Sequence, residues 1–170
     1  MHNYNLIQLT LSLDKFRHNY VIGYTSGVFD ILHSAHIDYL HKCQNKCDIL
    51  VIGVDDDYLV AMKKGIDRPY QCLTERLENL SRLGIASFLL KKTDSFTKIA
   101  PVLCPDVYFI PHNKELSKSK MNSIESLGIT IETFPYTKGL STTLIIKKLK
   151  NAMKYSDENI NASTLKQSHA

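Results

Sequence analysis

Long apolar runs are missing from this sequence. No uninterrupted stretch approaches the roughly 20 residues of a membrane helix, and no basic-then-apolar leader opens the chain. A cytoplasmic location without a membrane partner is therefore expected. Charge of one sign is also scarce: 21 Lys and Arg against 17 Asp and Glu leave a net +4. That is too mild for a dedicated nucleic-acid binder, and no RNA-binding aromatic motif is present, so nucleic acid is not expected as a partner. Small anionic substrates suit such a balance better. Cysteine is sparse, and in the cytosol the four are expected to be reduced thiols. Cys43 and Cys47 stand one helical turn apart, but no second Cys or His pair with zinc spacing follows. They read as buried or bystander thiols, and no protein metal site is expected. Internal repeats are absent too.

What is present fits one domain of ordinary globular composition, 170 residues with 44% hydrophobic and 22% charged. Residues 1–19 lack firm periodicity and read as a lead-in, with Leu11, Leu13 and Phe16 placed to pack onto a sheet. Residues 20–154 form the domain. Residues 155–170 turn polar and small and are expected to be a disordered tail. Tyr20–Tyr24 reads as a buried strand, about 35–46 as a helix, and Asp48–Val54 as a strand covered on both faces. Strand, helix, strand makes a βαβ unit. Further strands are expected around 86–90, 106–110 and 128–134, with helices through Leu59 and Met62, over 73–83 and near 96–103. Residues 113–127 read as a solvated helix or a loop. The class is α/β, a parallel sheet of about five strands flanked by helices.

The stretch Thr25-Ser-Gly-Val-Phe-Asp-Ile-Leu-His-Ser-Ala-His36 organises the rest. Gly27 falls on a strand-to-helix turn, and His33 and His36 lie where the helix begins. Free amides and the positive dipole end face one way there, with two imidazoles beside them, which suits phosphate chemistry. Asp55-Asp56-Asp57 follows the next strand. It suggests magnesium, but more simply an acidic start to the following helix. Lys64 and Arg68, flanked by Gly65 and Pro69, belong on a loop near the histidines and are read as ligand contacts. By pattern alone Arg76 is an exposed helix residue with a nearby acid for partner. Farther on, Ser141 is a natural N-cap, and its helix start is again ready for an anion.

These residues carry a resemblance. Gly27, Phe29, Asp30, His33 and His36 stand in register with the G-x-F-D-x-x-H-x-G-H motif of cytidylyltransferase-like nucleotidyltransferases, with Ala35 replacing the last glycine. Lys64, Gly65, Arg68, Pro69, Glu75 and Arg76 resemble the pattern of bacterial heptose-phosphate adenylyltransferases. Gly139, Ser141, Thr142 and Thr143 match the closing G-x-S-T-T. His112-Asn113 replaces a frequent Gly-Asp pair, and Tyr136 stands where glycerol-phosphate cytidylyltransferases have arginine.

The resemblance implies a doubly wound, Rossmann-like fold and a reaction joining ATP or CTP to a phosphorylated sugar or polyol, with release of pyrophosphate. His33, His36, Lys64 and Arg76 become the catalytic set. Gly27, Val28, Phe29, Asp30, Gly139, Ser141, Thr142 and Thr143 become nucleotide contacts, and Asp30 and Arg68 substrate contacts. Mg2+ would bridge the phosphates with few protein ligands, and the resemblance also implies a homodimer. The other reading is a nucleotide-binding module that has lost turnover, suggested by Ala35, His112-Asn113 and Tyr136.

Overall fold

The computed structural model describes residues 3–112, 114–135 and 146. The chain forms two compact units, 1–136 and 137–170. Nearly all described residues belong to the first; helical, half-buried Ile146 belongs to the second. Asn113, Tyr136, Gly139, Ser141, Thr142, Thr143 and residues 155–170 lie outside the described residues.

β3 (Ile49–Asp55) is buried at every position. Its apolar run is what a strand with neighbours on both edges and cover on both faces requires. β2 (Ile22–Gly27) pairs with it throughout, from Ile22 opposite Ile49 to Gly27 opposite Val54. β4 (Phe88–Lys92) flanks β3, and β5 (Val107–Pro111) and β6 (Thr130–Phe134) continue the sheet beyond β2. A two-residue strand, β1 (Asn3–Tyr4), edges β4. The order is β1-β4-β3-β2-β5-β6, and every pairing is parallel. The doubly wound class expected from sequence is therefore present, its five main strands extended by one short edge strand.

Side-chain alternation divides the interior into two layers. On one face α1 (Leu6–Leu13), α5 (Phe96–Leu103) and α6 (Lys118–Ser126) pack over Tyr24, Val51, Leu90 and Tyr108. On the other, α2 (Ser34–Gln44) and α4 (Leu73–Arg82) pack over Leu50, Ile52, Leu89 and Phe109. Successive strands run outward from β2 in opposite directions, so the topological switch falls between β2 and β5. A doubly wound sheet opens its ligand crevice outside the carboxyl ends of the strands there. No helix among the described residues is long and apolar enough to cross a membrane.

Three expectations change. In the lead-in, Leu13 and Phe16 meet the core, but Leu11 is 69% exposed and Leu9 takes the inner place. Leu9 and Leu13 are one turn apart in α1, whereas Leu11 falls on the opposite side. The strand expected over Tyr20–Tyr24 is β2 and starts at Ile22; Tyr20 and Val21 are exposed, and the Val21 amide donates to Asp48 Oδ2 at 2.7 Å. In α3 (Asp57–Lys64) Val60 is the buried residue, while Met62 is exposed. Cys43 and Cys47 are free, and burial pushes their thiols up to about 12 and about 11.

Gly53 is needed for close approach. A Cβ there would stand 2.4 Å from the Tyr24 hydroxyl and 3.1 Å from its ring. Gly53→Ala should cost about 1–3 kcal/mol by overpacking a buried strand. Adding Tyr24→Phe removes the worst contact, so the double variant should be less destabilised than the sum of the two singles. Additive denaturation midpoints would show that the two side chains do not meet.

Candidate functional site

At the carboxyl end of β2 the chain leaves Gly27 through a turn in which Phe29 and Ile31 take φ values of 53° and 52°. Left-handed backbone is costly for an aromatic and a β-branched residue, and such outliers gather at ligand sites. The Phe29 ring folds back until two of its atoms lie 3.2 Å from where a Gly27 Cβ would be. Glycine leaves that space open. The turn is pinned by Asp30, which is 2% exposed. Its Oδ2 accepts from Arg68 at 2.7 and 3.2 Å and from the Tyr70 amide at 3.0 Å; its Oδ1 accepts from the Gln71 amide at 3.0 Å. Burial pushes the Asp30 carboxyl up, but these amides and the guanidinium prevail and hold it below its ordinary value. Gln71, which no sequence signal singled out, completes the clasp by accepting from the Ile31 amide at 2.9 Å.

His33 is the N-cap of α2, with extended backbone and no side-chain cap. Its ring stacks on His36 at 3.9 Å between centroids, and Phe29 meets His36 edge-on at 5.6 Å. Both nitrogens of His33 and Nδ1 of His36 are buried without a hydrogen-bond partner among the described residues. Burial lowers the pKa of each imidazole. His36 falls to about 4, helped by the neighbouring His33 and Lys64 and opposed by Asp30. Both rings are thus neutral near pH 7. Lys64 is exposed, with its ammonium held below the ordinary lysine value by burial and by the Arg68 charge. The structure therefore brings Gly27, Phe29, Asp30, His33, His36, Lys64 and Arg68 to one strand end, although Arg68 is paired with Asp30.

Arg76 is different. Expected on the exposed face by pattern and in the catalytic set by resemblance, it has no exposed surface. Its guanidinium donates to the carbonyls of Gln71, Val28 and Asp55 at 3.0, 2.6 and 2.8 Å and to Asp57 Oδ1 at 2.5 Å. Four of five N–H groups are engaged within the protein, so Arg76 braces the site and does not present its charge to a ligand. The aspartates are engaged too. Asp55 pairs with Lys92 and Lys63, Asp56 caps α3 and pairs with Lys91, and Asp57 holds Arg76 and the Leu73 amide. Among the described residues no three His, Cys, Asp or Glu side chains are arranged to hold a metal ion. His112 is exposed at the end of β5, 3.5 Å from the Thr133 hydroxyl.

Two consequences can be measured. Between pH 6.5 and about 4 the unfolded chain protonates His36 while the native state does not. Stability should therefore fall as the pH drops through that window, by no more than about 3 kcal/mol, with His33 adding in the same direction. Urea midpoints for His36→Ala should show a shallower acid limb than wild type, and an unchanged limb would refute the burial argument. Arg76→Lys should lower stability by roughly 2–4 kcal/mol, because one ammonium cannot satisfy three separated carbonyls. A melting temperature equal to wild type would free Arg76 from this bracing role.

The cytidylyltransferase-like family profile matches residues 24–148. The chain is 29% identical over 153 residues to the bifunctional protein HldE of Pseudomonas entomophila, covering 86% of this chain and 32% of that protein. It is 30% identical over 153 residues to HldE of Pseudomonas fluorescens SBW25, covering 85% and 31%. The chain thus spans about a third of the length of these curated relatives. Among solved structures, the lipopolysaccharide core biosynthesis protein of Thermoplasma volcanium superposes with a TM-score of 0.60 at 25% identity, over 72% of this chain and all of that one. Pantoate-beta-alanine ligase of Francisella tularensis shares the fold at a TM-score of 0.56 and 13% identity, over 79% of this chain and 66% of that one. With a profile match over most of its length, and the histidine pair at the β2–α2 turn that the motif requires, the chain belongs to the cytidylyltransferase-like family.

Proposed function

We propose that the chain transfers a nucleotidyl group from ATP or CTP to a phosphorylated sugar or polyol, releasing pyrophosphate. The observation that carries this reading is the pair of buried imidazoles with unpartnered nitrogens at the mouth of α2. A buried N–H without an acceptor is costly, and phosphate oxygens would supply acceptors where the helix start already favours an anion. Similarity to HldE proteins, and to a protein of lipopolysaccharide core biosynthesis, supports a phosphorylated sugar or polyol as the acceptor class.

The acceptor phosphate is itself the nucleophile. With a second pKa of about 6 it is largely dianionic near neutrality, so no protein base is needed. It attacks the α-phosphorus, a new P–O bond forms, and the bond to the bridging oxygen breaks to release pyrophosphate. Rate enhancement then rests on positioning and on stabilising charge that builds on the leaving group. His33 and His36 donate to the α- and β-phosphate oxygens, and neutral rings are suited to that because N–H, not charge, is what they offer. Lys64 adds a cation beside them. Gly139, Ser141, Thr142 and Thr143 are the proposed seat of the β/γ end. Magnesium would arrive with the triphosphate and neutralise its oxygens; Asp55, Asp56 and Asp57 already have protein partners, which fits a metal held chiefly by phosphate.

ATP or CTP with magnesium should raise the melting temperature, since a ligand at about 100 times its Kd adds about 2.7 kcal/mol. With a productive acceptor, His36→Ala should lose about 100-fold in pyrophosphate release, as expected for one preorganised donor. No shift with ATP, CTP, GTP or UTP would remove the nucleotide site. A shift without pyrophosphate from any of a broad set of sugar and polyol phosphates would leave a binding module without turnover.

A further inference from the structure

On the other layer of the same strand ends lies a cluster that the reaction above leaves unused. Lys92 closes β4, is only 6% exposed, and donates to Asp55 Oδ1 at 2.5 Å. The two residues are register partners across β3 and β4. Lys63 reaches Asp55 Oδ2 at 3.2 Å from α3. From α6, Lys120 lies 3.3 Å from the Tyr108 hydroxyl and 5.4 Å from the centroids of the Phe96 and Tyr108 rings, which stack at 4.2 Å. Lys114, just past β5, is exposed; burial holds its ammonium below the ordinary lysine value, opposed by Asp55 and helped by Lys92 and Lys63. Burial, followed by repulsion from Lys114, Lys92 and Lys63, brings Lys120 down to about 8.

Two ammonium groups thus contact the Asp55 carboxylate, and a third, Lys120, lies against the Tyr108 hydroxyl on the same side of the sheet. We propose that this lysine cluster binds a second anionic group of the phosphorylated acceptor, a carboxylate or a further phosphate; the assignment rests on the nucleotidyltransferase reading. Like charges gathered in a partly desolvated space repel, and a bound oxyanion relieves that repulsion. The reacting phosphate cannot be what the cluster binds. It must come within about 3–3.5 Å of the α-phosphorus, which the proposed reaction puts beside the histidines on the α2 side of the sheet. Asp55 and Lys92 continue the alternation of Val51 and Leu90, which face α1, α5 and α6. An acceptor reaching both places needs charge at both ends. Lysines act as point charges, so they suit carboxylate and phosphate alike.

Calorimetry on the full chain tests this with three probes: glycerol 3-phosphate, 3-phosphoglycerate and fructose 1,6-bisphosphate. The first has one anionic group; the others add a carboxylate or a second phosphate. At least one of the latter pair should bind about tenfold or more tightly than glycerol 3-phosphate, and which one names the second group. In Lys114→Met and Lys120→Met that preference should shrink to within about threefold. Neither lysine is fully buried, so both variants should keep their melting temperatures. His36→Ala should retain the preference. Equal affinity for all three probes, no binding by either doubly anionic probe, or a preference unchanged in both lysine variants would overturn the assignment. Failure of the nucleotide reading shows separately, as loss of the triphosphate-induced melting shift while the probe preference persists.

Discussion

One sealed guanidinium holds the strand ends in the form the site needs. Arg76 reaches the carbonyl of Val28 beyond β2, that of Asp55 at the end of β3, and that of Gln71 before α4. These carbonyls lie where regular pairing stops, so each needs a donor from elsewhere. A planar fork can meet several acceptors at once, which lysine cannot do. Asp57 balances the charge. From the opposite direction Asp30 grips the loop over 68–71 through two amides and Arg68. Between these two clasps the turn can keep Phe29 and Ile31 in left-handed backbone, a conformation it would otherwise leave.

The central parts were legible because their signals are local. β3 is an apolar run, α5 has the predicted bounds, and the glycine, aspartate and paired histidines sit on the strand-to-helix turn that their spacing implies. Arg76 was misread because a charged side chain on an amphipathic helix is ordinarily assigned to water. Its phase said otherwise: it stands three residues after Leu73, beside Leu77 and Leu80, on the inner face. Lys92 was invisible for another reason. The apolar signal of β4 stops at Leu90, and only lateral pairing with Asp55 makes a buried lysine tolerable. Leu11 shows the same limit in reverse, an apolar residue left outside by helix phase.

The two layers also differ electrostatically. On the α2 side the polar groups are neutral imidazoles, kept so by burial, with Lys64 nearby. On the α6 side they are ammonium groups in excess of carboxylate. The sheet between them is tightly packed: Gly23 and Gly53 leave no room for a Cβ, since Phe109 and Cys47 crowd one and Tyr24 the other. Each layer can therefore be tuned by its own helices, with the backbone as a common, rigid support.

The short edge strand carries a consequence for assembly of the fold. β1 pairs with Leu89 and Leu90 of β4, a partner made long after it during synthesis. Until β4 emerges, the apolar side of α1, with Leu9 and Leu13, has no surface to cover it. Pairings so distant in sequence close late, because the loop between them must be ordered before the contact repays it. The nascent chain would thus carry an uncovered amphipathic helix until β4 is made, a ready handle for a chaperone.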